Sequence, residues 1–98
     1  EPDTSPSFSL TFPDPIEATG RTFSDMTLRE PTVRERRIMK AAEAKGTPEA
    51  FLQAEISIVE AVSGWPKAAV LKMPISKFAK AADYLTGFFI SGPATGNG

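Results

Sequence analysis

The sequence predicts an α+β domain in which an N-terminal two-stranded antiparallel β segment precedes a small bundle of three main helices plus one short helical turn. Three observations carry this expectation. Apolar residues alternate with period two ahead of residue 30 and recur at helical spacing after residue 32. Each helical stretch is also bracketed by its own start and stop residues. The prolines and acids of residues 1–7 predict a loose arm, and residues 91–98 a flexible tail, leaving residues 8–90 as one globular domain.

Phe8-Ser9-Leu10-Thr11-Phe12 alternates apolar and hydroxyl residues, the pattern of a strand with one buried face, and Pro13-Asp14-Pro15 is expected to stop it. Ile16 to Gly20 then connects to a second strand over Thr22 to Arg29. Met26 and Leu28 share a face there, opposite Thr27 and Arg29, given a bulge or break near Asp25. Two strands alone are marginal and must lie against the helices.

Thr32 followed by Glu35 makes a capping box for a helix from Val33 to about Lys45, with Gly46 as its left-handed terminator. Its apolar face of Ile38, Met39 and Ala42 is narrow, and Arg34, Arg36, Arg37 and Lys40 spread over the rest. Thr47 caps the next helix, Pro48 fits its first turn, and Gly64 with Pro66 ends it. At about 100° per residue, Phe51, Ile58 and Val62 form one row flanked by Leu52, Ala54, Ile56, Val59 and Ala61. This arc covers more than half the circumference, wider than a surface helix requires. Either the helix is the hub of the core or it lends one side to a partner.

Glu55 falls inside that arc, so if it is buried Arg29, Arg34 or Arg37 should reach it. Lys67 to Lys72 reads as a helical turn with Val70 and Leu71 inward, and Met73-Pro74-Ile75 breaks the path. Ser76 is expected to cap the last helix, whose row of Phe78, Ala82, Leu85 and Phe89 is flanked by Ala81 and Phe88, with Gly92-Pro93 as the stop.

A chain of 98 residues without cysteine or histidine excludes disulfide staples, thiolate zinc sites and the commonest general base. No apolar run reaches the roughly 18 residues of a membrane span, and no signal-peptide pattern is present, so a soluble cytoplasmic protein is expected. The first residue is Glu1, so an upstream segment is expected to have been removed. The net charge of −1 hides a split: residues 1–30 carry six acids against Arg21 and Arg29, and the remainder nine basic residues against six acids.

No Ser-x-x-Lys, nucleophile elbow, dinucleotide fingerprint, phosphate loop or calcium loop occurs. Glu43, Glu49, Glu55 and Glu60 are spread around helices instead of paired for acid–base work. No catalytic residue, cofactor or metal is therefore expected. The basic run R-E-R-R-I-M-K is interrupted by Glu35 and lacks an aromatic to stack on a base, which disfavours nucleic acid as the partner. Trp65, the sole tryptophan, reads more readily as core than as a binding anchor. Phe88 beside Phe89 is either core or an exposed patch.

Four stretches occur in an informative order: T-L-R-E-P-T-V-R-E at Thr27 to Glu35, S-G-W-P at Ser63 to Pro66, M-P-I-S-K-F at Met73 to Phe78, and Y-L-T-G-F-F at Tyr84 to Phe89. Together they resemble the tail assembly chaperone family of contractile-tailed phages of the Mu and P2 kind, over residues 8 to 90. Arg36 and Arg37 stand where relatives are often apolar, and Trp65 is bulkier than the usual aliphatic. The resemblance implies a non-enzymatic protein of the infected bacterial cytoplasm, absent from the finished virion. Its implied partner is the phage tape-measure protein, kept soluble while the tail tube assembles around it. On this reading Phe51, Glu55, Ile58, Val62, Trp65, Phe88 and Phe89 are the candidate partner-binding residues, with self-association left open. A nucleic-acid-binding or regulatory module using the basic helix and a structural tail subunit are the rival readings.

Overall fold

The computed structural model describes residues 7–94, with side chains through residue 89. Two antiparallel strands, β1 (Ser7–Ala18) and β2 (Arg21–Arg29), are followed by α1 (Val33–Lys45), α2 (Pro48–Ser63), the short α3 (Lys67–Val70) and α4 (Ile75–Ala94). The α+β class and the strand-then-helix order are as the sequence predicts. Of the expected arm, only Ser7 lies within the described residues, where it opens β1 opposite Arg29. Residues 95–98 of the expected tail lie outside them.

Pro13-Asp14-Pro15 does not end the first strand. β1 runs on to Ala18 because the ladder skips the prolines: Thr11 pairs with Asp25 and the next pair is Ile16 with Phe23. Four β1 residues thus stand opposite Ser24 alone, so the extra length is in β1 while the change of facing expected near Asp25 appears on β2. A bulge leaves backbone groups out of the ladder, and proline has no N–H to lose there. The connection shrinks to Thr19-Gly20, both at positive φ (52° and 75°), which makes a two-residue hairpin turn. Threonine is an unusual occupant of that region, and its hydroxyl donates to the Ala18 carbonyl at 2.6 Å.

One face of the hairpin supplies Leu10, Phe12, Ile16, Phe23, Met26 and Leu28 to the core, and α2 answers with Ile56, Ile58, Val59 and Val62. Both helices of the central pair keep their expected ends. Gly46 (φ 71°) and Gly64 (φ 80°) close α1 and α2 in the left-handed region, and the Thr47 hydroxyl accepts from the Ala50 N–H at 3.1 Å.

Three local expectations are corrected. Leu71 is 59% exposed, because α3 lasts one turn and spends its inward positions on Ala69 and Val70. Ser76 does not cap α4; the helix begins at Ile75, with the Pro74 carbonyl accepting from Lys77 and Phe78 at 3.0 Å each. Gly92-Pro93 does not stop α4, which extends to Ala94. Pro93 has no N–H for the Phe89 carbonyl four residues back, and that carbonyl instead accepts from the Arg36 guanidinium of α1 at 3.4 Å.

Candidate partner-binding surface

The row Phe51, Glu55, Ile58, Val62 on α2 passes from outside to inside along its length. Phe51 is 36% exposed and Leu52, beside it, 47%, whereas Ile58 and Val62 are buried. The pattern of the helix is uniform, but the hairpin and α3 cover only its C-terminal half. Trp65 is buried as well, wedged between Phe12 and Phe23 at ring distances of 5.2 and 5.0 Å under the bulge. Ile58, Val62 and Trp65 therefore serve the chain's own core, and the accessible members of the set are Phe51, Glu55, Phe88 and Phe89.

These four approach one another across the α2–α4 cleft only in part. Glu55 and Phe89 line it together with Met39, Ala82, Leu85 and Thr86. Phe89 is half-buried against the core, and its backbone is tied to α1 by Arg36. Phe88 lies to one side, edge-on to Tyr84 at 5.2 Å, and Tyr84 in turn stacks on Phe8 at 5.0 Å. Burial and the Glu30 carboxylate hold the Tyr84 phenol above its ordinary value. Among the described residues its hydroxyl has no hydrogen-bond partner.

The expected arginine does not reach Glu55. Burial pushes its carboxyl above the ordinary glutamate value, and Asp83 across the cleft pushes it in the same direction. The arginine is committed elsewhere. Arg29 Nη1 lies 3.5 Å from Glu35 Oε1 and its Nη2 donates to the Ala61 carbonyl at 3.3 Å.

Glu35 is the buried carboxylate that the sequence does not announce. It is 1% exposed, and its Oε1 accepts from the Thr32 N–H at 2.6 Å and the Thr32 hydroxyl at 2.7 Å. Burial raises its pKa, but the two Thr32 bonds and Arg29 outweigh that and leave it lowered. The signal was present as the row Glu35, Met39, Ala42, all three buried on α1. A capping-box role hides the fact that the same position also faces inward.

A second surface was not anticipated. Along the flank of α2 next to the Phe51 row, an open groove of about 370 Å³ runs between α1 and α2, floored by Ile38, Ala41, Ala50 and Ala54. The small-residue runs of both helices, Ala41-Ala42 with Ala50 and Ala54, were the available signal.

Among the described residues no group of acids could hold a metal ion, and no helix is long and apolar enough to cross a membrane. A family model described as phage tail assembly chaperone proteins, E, or 41 or 14, matches residues 7–90. No curated protein and no solved structure matches the chain.

Proposed function

The chain belongs to the family of phage tail assembly chaperone proteins, and on that premise we propose that it binds a helical, apolar segment of the tape-measure protein and holds it soluble while the tail tube forms. It does so by contact alone, without catalysis, in the infected cell, and it leaves before the virion is complete.

One observation carries the reading: apolar surface stands outside the buried core at the start of α2. Phe51 and Leu52 face solvent at the start of α2, next to a half-buried carboxylate that among the described residues has no ion pair. An exposed aromatic beside a partly desolvated acid suits a helix that brings apolar side chains and a lysine or arginine. Phe89 offers a further apolar flank across the cleft, while Phe88 adds a ring to one side against Tyr84.

The test is co-expression with the tape-measure protein of the same phage. The expected outcome is a soluble complex that co-purifies and is weakened at least tenfold by Phe51→Ser with Leu52→Ser. A tape-measure protein that remains insoluble beside abundant folded chaperone would overturn the reading. Recovery of the chain from purified particles would favour the structural-subunit alternative.

A further inference from the structure

We infer that the groove between α1 and α2 is a second docking site, separate from the Phe51 surface, and that its occupant is an amphipathic helix with acidic flanks. The inference goes beyond the tape-measure reading and does not depend on it.

The floor of the groove is apolar and shallow-sided. Ile38 and Ala41 come from α1, Ala50 and Ala54 from α2, and a further depression of about 370 Å³ extends it past Arg34 and Arg37. Alanine on both walls lets a third helix approach closely, its larger side chains filling the space that the two helices leave between them. Arg34 to Lys45 is all of the 13-residue α1 but its first residue, a rise of about 16 Å at 1.5 Å per residue, which matches a partner helix of about three turns.

The rim defines the charge of that partner. Arg34, Arg37 and Lys45 border the groove on the α1 side, against Glu49 alone on the α2 side. Among the described residues the ion pairs are Arg29 with Glu35 and Lys40 with Glu43, so none of the three rim cations is held in a close ion pair. Gln53 and Ser57 line the α2 wall as neutral hydrogen-bonding groups. Three cations against one acid around an apolar floor complement a helix with a Leu or Met ridge bordered by Asp or Glu. Nucleic acid would use the cations but gain nothing from the alanine floor, which offers no ring for a base to stack on.

The experiment is an NMR titration of the labelled full chain with two synthetic helical peptides of about 14 residues. Both carry leucines at i, i+3, i+4 and i+7 spacing; one is flanked by glutamate and the other by lysine. The glutamate peptide should shift the amides of Arg34, Ile38, Ala41, Gln53 and Ser57 and bind at least tenfold more tightly than the lysine peptide. Ala41→Trp, which fills the groove from an exposed position, should weaken binding tenfold or more. Arg37→Glu provides a second check at a solvent-facing site and should narrow or reverse the preference between the peptides. Equal affinity for the two peptides, or shifts confined to Phe51 and Phe89, would overturn the inference. So would groove shifts that appear with protein concentration alone, which would mean that a second copy fills the site, or tighter groove binding by a DNA duplex. Co-purification of the tape-measure protein reports separately on the proposed function, so either idea can fail without the other.

Discussion

The β2–α1 junction and the α2–α4 cleft each take a glutamate out of water, and they do so to opposite effect. At the junction, Glu35 is held by the Thr32 N–H and hydroxyl and faces Arg29, so its ionised form is favoured despite burial. In the cleft, Glu55 has apolar neighbours and Asp83, so its ionised form is disfavoured. A buried carboxylate with hydrogen-bond donors is part of the scaffold. One without a cation is a place where the free protein has not minimised its own energy, and where a cation from elsewhere would be welcome.

The largest test of this contrast is Glu35→Ala, expected to cost about 3 kcal/mol in urea unfolding, through loss of the helix start, a new cavity and an unpaired Thr32 N–H. A cost below about 1 kcal/mol would mean that the junction is no more structural than the cleft. Arg29→Met leaves the Glu35 charge inside with only Thr32 to satisfy it, and should cost about 2 kcal/mol, less than a fully buried pair because Arg29 is itself half exposed. Glu55→Leu should change stability in the other direction, raising it by about 1 kcal/mol, since it removes the desolvation of a charge and adds apolar contact to Ile58 and Leu85. Destabilisation by Glu55→Leu would show that an unseen pairing supports this residue.

The smallest effect is in pH. The raised value of Glu55 means that its ionised form opposes folding at neutral pH, and this opposition is relieved as pH falls through its folded-state value toward the ordinary 4.5. The lowered value of Glu35 gives stability that is complete above the ordinary 4.5 and is lost as pH falls through its folded-state value below it. Unfolding midpoints should therefore show a slight rise on acidification before the fall, with Glu55→Gln removing the rise and Glu35→Gln flattening the fall. Parallel pH profiles for the two variants would remove the distinction between the regions.

Most helix ends were legible in the sequence because they depend on short-range chemistry. Thr32, Gly46, Thr47 and Gly64 act through neighbours within four residues, and each performs as its residue type predicts. What was not legible depends on distant groups. Pro93 reads as a stop unless one knows that Arg36, 53 positions before Phe89, supplies the donor that the Phe89 carbonyl lacks. The strand through Pro13 and Pro15 is invisible without the partner strand that leaves them unpaired. For the candidate site, the arc of α2 is plain, but which half is covered is decided by the hairpin and α3. Phe51 and Ile58 look equivalent in the sequence and part company only in three dimensions.

The bulge in β1 has a further consequence. A sheet of two strands consists of nothing but edges, and an open edge is a template onto which an incoming extended chain can polymerise. Pro13 and Pro15 blank out amide donors midway along one of those edges. A strand adding along β1 would lose rungs at the two prolines, which have no N–H to give.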